Sequence, residues 1–363
     1  MKNIIIFLII CIVITAGIAM GSEELSGREQ YLTLVHNGLA SQDVAVRVES
    51  IRILADAGGA GAKSKLKKFL QDASVTVRIE TALALNKLSD KSGIPVLASI
   101  IKEKADVSSK DPPIKRARAL TKNLARARAA EALGEMGGDS ARALLVSAAE
   151  EKEGHVKDAA IVSLIRMGDR SNIDMFLRGL KSSDTNVRCR ACEVLGEIKE
   201  EKAKGLLREL LNHWDKDVRQ AASVALGRIG DTESIKTIAE MYADKESSVR
   251  MGAAEALGYF GDPAFIIYLQ KMLKDENGFV RLAAAESLMK FKDISGNNFL
   301  MSAIKAADTD ARLKAIKIIS KYGDTGFLEA LRKALVQEEN EQVKINLAGA
   351  ILKITDKNSK DKE

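Results

Sequence analysis

The sequence predicts an all-α protein, a right-handed α-solenoid of about ten helix-pair repeats, on three observations. A pattern of fourteen residues recurs, as VRQAASVALGRIGD at 218–231 and VRMGAAEALGYFGD at 249–262. The recurrence keeps a nearly constant spacing of 31 residues. Each copy places apolar residues at helical spacing, without the alternation that is typical of a strand. Self-similarity at a fixed period indicates a stacked array, so we expect one continuous domain.

The chain begins with a segment, residues 1–21, that is typical of a secretory signal peptide. A short positive start is followed by an apolar run over residues 4–19 and by small residues before Ser22. An alternative is an N-terminal membrane anchor with an extracytoplasmic solenoid, although sixteen apolar residues are short for a span of about 20. In both cases the solenoid is exported, so we expect the protein to be located in the periplasm or the cell envelope of a bacterium.

Ten units align on a basic residue that follows an apolar one. Every step between them is 31 residues, except 48 between Arg78 and Arg126 and 32 at the end. We expect the solenoid to cover residues 22–356 and to be followed by a disordered polar tail at 357–363, which has no apolar anchors. The aligned basic residues are Arg47, Arg78, Arg126, Lys157, Arg188, Arg219, Arg250, Arg281, Arg312 and Lys344.

Within a unit, the second helix and the start of the next unit are marked by residue type. Apolar residues one before the basic anchor and three, seven and ten after it share one helical face. A glycine eleven after the anchor, such as Gly261, can end the helix in the left-handed conformation. The next residue, Asp262, can cap the first helix of the following unit. In one unit the apolar residues are Val249, Ala253, Leu257 and Phe260.

The basic anchors are predicted to form a structural ladder through the array. An aspartate lies either four or six residues before many anchors, in the turn between the two helices. Arginine can bridge neighbouring turns with its planar fork of donors. An anion-binding column is the alternative, and the nearby acids disfavour it. The aspartates are Asp43, Asp184, Asp215 and Asp308 at four before, and Asp72, Asp244 and Asp275 at six before.

Units of the form V-R-x-x-A-x-x-A-L-G-x-I-G-D resemble short HEAT repeats of the phycobilisome-lyase type, over roughly residues 28–356. The resemblance implies the solenoid but no single function, because such repeats occur in scaffolds, in chromophore lyases and in a di-iron hydroxylase. The hydroxylase carries paired His-Glu iron ligands, whereas Asn, Val and Trp follow His36, His155 and His213. We therefore expect no metal, no cofactor and no catalytic residue. A lyase-like subunit, to which a partner supplies the chemistry, is an alternative.

Cys189 and Cys192 form a C-x-x-C pair that, in an exported protein, could be a redox centre or a disulfide. They fall in the second helix of a unit, without the strand-to-helix context of a thioredoxin-like site. We interpret them as structural.

Apolar residues also recur one position after the anchor, where helical geometry points toward the inner face of the solenoid. An exposed run of them would be a ridge that binds a peptide or helix of a protein partner. The alternative is that they tuck against neighbouring repeats. This pattern predicts a monomeric, non-enzymatic protein-protein interaction scaffold with an unidentified protein partner. The predicted binding residues are Met251, Leu282, Leu313 and Ile345 on the ridge, with Glu255 and Glu286 at its edges.

The long step between units holds a basic insertion at residues 102–128. It contains nine Lys and Arg against three Asp and Glu, a charge of plus six that equals the net charge of the whole chain. This favours docking to an anionic partner such as a membrane surface. Export and the lack of stacking aromatics argue against nucleic acid. An elongated first helix with a solvated basic face is the alternative. The predicted docking residues are Lys115, Arg116, Arg118 and Lys122.

Overall fold

The structure, a computed structural model, describes residues 27–59, 61–104, 108, 110–151 and 154–360. These residues form twenty α-helices with short 3₁₀ turns, and no strand occurs among them. The predicted all-α solenoid of ten helix pairs is confirmed. The leader predicted over residues 1–21 lies outside the described residues.

The helices alternate between an outer and an inner layer. The outer layer contains α1 (27–38), α3 (Ala62–Lys67), α5 (Ile94–Lys102), α7 (Asp139–Ala149), α9 (Ile173–Gly179), α11 (Lys204–Leu210), α13 (Ile235–Glu240), α15 (Ile266–Met272), α17 (Asn297–Ala303) and α19 (Leu328–Gln337). The inner layer contains α2 (Val44–Ala57), α4 (Val75–Lys87), α6 (Pro113–Met136), α8 (His155–Arg166), α10 (Thr185–Glu197), α12 (Lys216–Ile229), α14 (Ser247–Phe260), α16 (Gly278–Lys290), α18 (Thr309–Tyr322) and α20 (Glu341–Lys360).

Most inner helices end in a left-handed residue eleven positions after the anchor, as predicted. Gly230 and Gly261 have φ of 82° and 72° there. Units that lack glycine at this position adopt the same conformation, since Ser89, Lys199 and Lys292 have φ of 59°, 53° and 59°. The helix end is therefore required by the repeat and not only permitted by glycine.

The two sets of aspartates have different roles in the ladder. Arg250 in α14 donates from Nε to Asp275 Oδ2 at 2.6 Å and from Nη2 to Oδ1 at 2.9 Å, in the turn of the next unit. Its Nη1 also donates to the carbonyl oxygen of Asp244 at 2.9 Å. In contrast, Asp43 accepts from the amide of Ala45 and caps α2. Acids six before an anchor thus pair with the preceding unit, and acids four before it cap their own helix.

The residue eight positions after each anchor sets how closely neighbouring inner helices pack. At Gly196 and Gly227, an added Cβ would lie only 2.7 Å from the Cα of Ala225 and of Ala256 in the next helix. Contact between the backbones is extensive at these glycines. Ile165 fills the same position in α8, and contact between the backbones of α8 and α10 is sparse. The spacing of the repeats therefore varies around the solenoid.

The solenoid closes on itself, a feature that no pattern in the sequence indicates. The last inner helix, α20, packs against α2, the first inner helix. Arg28 Nε donates to Asp356 Oδ1 at 2.8 Å, and Ser41 Oγ donates to Glu341 Oε2 at 2.9 Å. Four hydrophobic clusters follow each other around the ring, so the core is continuous. The half-buried residues that bridge successive clusters are Tyr31, Leu70, Ala149 and Leu273.

Two expectations about irregular parts of the chain differ from the structure. We expected a disordered tail from residue 357, but α20 continues to Lys360, and residues 361–363 lie outside the described residues. The insertion lengthens α6, which is the second helix of its unit, whereas the alternative drawn from the sequence is an elongated first helix.

Candidate functional site

A half-open cavity of about 1080 Å³ lies on the inner surface of the ring, where the first and last units meet. The first wall is formed by α2, α4 and α6, and the second by α18 and α20, which adjoin the first because α20 packs against α2. Every lining residue comes from an inner helix. We call this cavity the lumen. Its basic lining residues are Arg52, Lys87, Arg128, Lys314, Lys317, Lys353 and Lys357. Its acidic lining residues are Glu49, Asp56, Glu80, Glu135 and Asp356.

The first wall of the lumen is neutralised by ion pairs between neighbouring inner helices. The buried carboxylate of Glu80 accepts from Arg52 at 2.9 Å and from Arg128 at 3.2 Å. Lys87 pairs in the same way with Asp56. Burial raises the pKa of Glu49, and the guanidinium of Arg52 at 3.6 Å opposes that rise. The acids of this wall therefore offer little free negative charge to a ligand.

The second wall of the lumen carries excess positive charge. Lys317, Lys353 and Lys357 are exposed, and none of them forms an ion pair with another residue of the described ranges. Lys314, also exposed, pairs with Glu286 at 3.4 Å. An ammonium group that is not held in an ion pair can donate charge-assisted hydrogen bonds to an anionic ligand. This wall is therefore where an acidic group would be bound.

The predicted apolar ridge is not exposed. Leu282 and Ile345 are 1% and 3% exposed and lie in the hydrophobic core, so the expectation is wrong for them. Met251 and Leu313 are half-buried against the same core. Neighbouring inner helices pack so closely that they cover the flank on which these residues lie. The alternative, that the residues tuck against adjacent repeats, fits the structure.

The charged residues predicted at the edges of the ridge do lie on the inner surface. Glu255 accepts from Arg228 of the preceding inner helix at 3.3 Å, and Glu286 pairs with Lys314 of the following one. Both side chains are half-buried. They contribute to a belt of ion pairs, and the ability of this belt to bind a partner stays a prediction.

The predicted anionic-partner residues lie apart from the lumen, at the N-terminal end of α6. Lys115, Arg116 and Arg118 are exposed. Lys122 is half-buried and pairs with Glu103 at 3.4 Å. The structure thus separates the two surfaces that the sequence suggested, and docking through α6 stays a prediction.

Both cysteines in α10 are free thiols. Cys192 is buried, and burial raises its pKa to about 12. Burial also raises the pKa of Cys189. Since the thiolate is the reactive form, these environments disfavour redox chemistry and fit a structural role.

Over the part of the chain that the structure describes, no helix combines the length and the apolar character that a membrane span requires.

The fold and its repeat pattern define an α-solenoid built from helix-pair repeats. A family model for HEAT repeats matches residues 32–109, 173–258 and 236–297. A second model, the PBS lyase HEAT-like repeat, matches residues 125–151. The first model covers more than half of the chain, so this protein belongs to the HEAT-repeat family.

Three solved structures illustrate the likeness of fold. An engineered protein is 20% identical, with 90% of this chain and 98% of that chain covered and a TM-score of 0.34. Human deoxyhypusine hydroxylase in complex with glycerol is 19% identical, with 74% and 98% covered and a TM-score of 0.33. The complex of CpcE and CpcF of phycocyanin lyase from Nostoc sp. PCC7120 is 18% identical, with 73% and 96% covered and a TM-score of 0.42. Likeness at this level concerns the fold alone.

No curated protein matches this chain.

Sequence reasoning missed the lumen because it could not show that the inner helices of the first and last units lie side by side. The lining residues recur two, five and nine positions after the anchors, as in Glu80, Arg52 and Lys353. That period could have identified the inner face of each helix. It does not indicate that the first and last units meet, which is what forms the cavity.

Proposed function

We propose that this protein is a non-enzymatic scaffold of the bacterial cell envelope that holds an acidic segment of a partner protein in its lumen. The observation that carries the proposal is the wall of exposed lysines, Lys317, Lys353 and Lys357, that line the cavity and form no ion pair with a described residue, although the charge of Lys317 also acts on Glu49. HEAT repeats generally mediate protein interaction, which favours a protein as the partner. The location rests on the leader predicted over residues 1–21.

The composition of the lumen favours a peptide over a small molecule. Its volume of about 1080 Å³ lies just above the roughly 300–1,000 Å³ that small-ligand pockets occupy. Apolar side chains such as Ile53, Leu83 and Leu313 lie between the charged residues. An acidic peptide could therefore place carboxylates on the lysines and apolar side chains between them. The acids of the first wall, already paired with arginine and lysine, would repel such a peptide only weakly.

The first test of this proposal is the binding of a dye-labelled decaglutamate peptide, measured by fluorescence anisotropy at low salt. We expect Lys317→Glu with Lys353→Glu to weaken binding at least tenfold, because it reverses two charges on the lysine wall. A decalysine peptide should not bind the unmodified protein.

The control is Lys63→Glu with Lys236→Glu, which makes the same change of net charge at two exposed residues of the outer helices α3 and α13. This variant should bind the peptide nearly as well as the unmodified protein. Equal weakening in both variants would mean that only overall charge matters, and the lumen would not be the binding site. Thermal unfolding of both variants checks that they fold.

A further inference from the structure

The inner helix α6 is much longer than its equivalents. The inner helices α2, α10, α12 and α14 begin three residues before their anchors, whereas α6 begins at Pro113, thirteen residues before Arg126. The ten additional residues add about 15 Å at 1.5 Å per residue. All inner helices start at the same edge of the ring, where the outer-to-inner turns lie. The ten additional residues, 113–122, therefore project beyond this edge. We call residues 113–124, which add the first two positions of a regular inner helix, the α6 extension.

The α6 extension presents large apolar side chains to solvent. Ile114, Leu120 and Leu124 are 65%, 50% and 49% exposed. At 100° per residue, these three side chains and that of Ala117 fall within about one third of the helix circumference. An apolar stripe of this width is what a helix normally buries against a neighbour. Within the described residues, nothing covers it.

The rest of the surface of the α6 extension is basic. Residues 113–124 include four Lys and Arg and no Asp or Glu. Arg116 and Arg118 are exposed and form no ion pair with any residue that the structure describes. Lys115 forms only an exposed pair with Asp111 at 3.0 Å. The charges flank the apolar stripe and leave it free.

Other exposed apolar side chains lie on the same edge of the ring. Trp214, the only tryptophan of the chain, is 81% exposed in the turn before α12. Val187 and Phe279, in the first turns of α10 and α16, are 47% and 42% exposed. The edge from which the α6 extension projects is therefore also rich in exposed apolar residues.

We infer that the α6 extension is an interfacial helix that docks this ring onto an anionic lipid bilayer. A helix with an apolar stripe and a basic polar face lies in the plane of the headgroups, with its apolar side in the acyl region. Anionic headgroups complement Arg116 and Arg118, and the bilayer covers Ile114 and Leu120. Single-stranded nucleic acid would match the charge, but the extension offers no aromatic side chain for bases to stack on. This inference does not depend on the ligand of the lumen.

The test is co-sedimentation with vesicles of phosphatidylcholine and phosphatidylglycerol at a ratio of 7:3, compared with pure phosphatidylcholine vesicles. The protein used lacks residues 1–21, so that the predicted leader cannot itself insert. We expect at least tenfold stronger partition onto the anionic vesicles at low salt, and a marked loss at high salt. Ile114→Asp with Leu120→Asp should abolish binding, and Arg116→Glu with Arg118→Glu should do the same.

The matched control is Ile267→Asp with Ile294→Asp, two isoleucines of similar exposure, 57% and 77%, in units away from the extension. This variant should bind vesicles like the unmodified protein. A second readout is Ile114→Trp in a Trp214→Phe background, whose emission should shift to the blue and be quenched by brominated lipid. Ile294→Trp in the same background should show neither effect.

The inference is overturned if anionic vesicles are not bound at low salt. It is also overturned if the Ile114 and Leu120 variant binds as well as its control, or if the tryptophan at 114 is not quenched. Binding of a twenty-nucleotide oligothymidine in the absence of vesicle binding would assign the α6 extension to nucleic acid instead.

Discussion

At the scale of single residues, the ladder shows that aspartate has two roles in the turns between outer and inner helices, depending on its position in the turn. Asp275 is almost buried and binds both ends of the Arg250 fork, whereas Asp43 is exposed and caps its own helix. Burial alone raises the pKa of Asp275, but the hydrogen bonds from Arg250 outweigh it and hold the pKa of this carboxyl below its ordinary value. The two aspartates should therefore differ strongly in their contribution to stability.

We predict that Asp275→Asn lowers the free energy of unfolding by about 3 kcal/mol, because it removes the buried counter-charge of the Arg250 guanidinium and leaves only the exposed carboxylate of Glu276 at 3.3 Å. Asp43→Asn should cost less than about 0.5 kcal/mol, since asparagine caps a helix about as well as aspartate. Urea unfolding followed by circular dichroism measures both. Equal losses in the two variants would contradict the assignment of roles.

The same pair predicts a pH dependence. The folded-state pKa of Asp275 lies below the unfolded value, which is about 3.9. Its contribution to stability is therefore complete above that pH and is lost as the pH falls toward the folded-state pKa. The urea midpoint of the unmodified protein should fall more steeply below about pH 4 than that of Asp275→Asn.

At the scale of helices, the residue eight after the anchor controls how closely two inner helices approach. Gly227 lets the backbones of α12 and α14 touch, while Ile165 keeps α8 and α10 further apart. Glycine is thus used here for its missing side chain and not for a turn. Since each spacing contributes to the curvature, these residues influence how the array bends.

We predict that Gly227→Ala destabilises the protein by about 1–3 kcal/mol, because the added Cβ would overlap backbone atoms of Ala256. Gly205→Ala, on the outer helix α11, meets nothing within 4 Å and should stabilise by about 0.5–1 kcal/mol through helix propensity. The urea midpoints should move in opposite directions. A gain of stability in Gly227→Ala would show that the helices are not packed as described.

At the scale of the whole molecule, contact between the first and last units closes the solenoid into a ring. Without this contact the array would be an open superhelix with two free ends. The apolar faces of α2 and α20, which would be exposed in an open array, bury each other. A terminal unit normally needs a polar outer face to remain soluble. Here the first and last units cap each other, and the lumen exists only because they do.

We predict that cysteines at positions 41 and 341, introduced as Ser41→Cys and Glu341→Cys, are joined by a short bis-maleimide within one chain. The background is Cys189→Ala with Cys192→Ala, without residues 1–21. The reason is that the two side chains are in hydrogen-bond contact across 300 residues of sequence. Faster migration of the linked, unfolded chain on a denaturing gel measures the product.

The control for this experiment pairs Ser41→Cys with Glu201→Cys, which lies in the sixth unit. No intramolecular link should form in that variant. Absence of a link between positions 41 and 341 would mean that the solenoid is open in solution, and it would remove the lumen as a site.

The number of units, the faces of their helices and the ends of those helices all follow from the sequence, because each depends on residues within one unit. Val249 lies one position before Arg250 and Leu257 seven positions after it, and helical geometry alone puts them on one face. The capping role of Asp262 follows in the same way and is present in the structure. Local rules are sufficient at this range.

Three features depend on tertiary structure: ring closure, the burial of Leu282 and Ile345, and the lysine wall of the lumen. Closure depends on curvature that accumulates over ten units, and small differences in helix spacing, such as those at Gly227 and Ile165, add up around the array. The total curvature therefore cannot be read from the sequence of any single unit. Whether a side chain one position after an anchor is exposed or buried therefore depends on how closely the neighbouring helix packs, which only the assembled ring reveals.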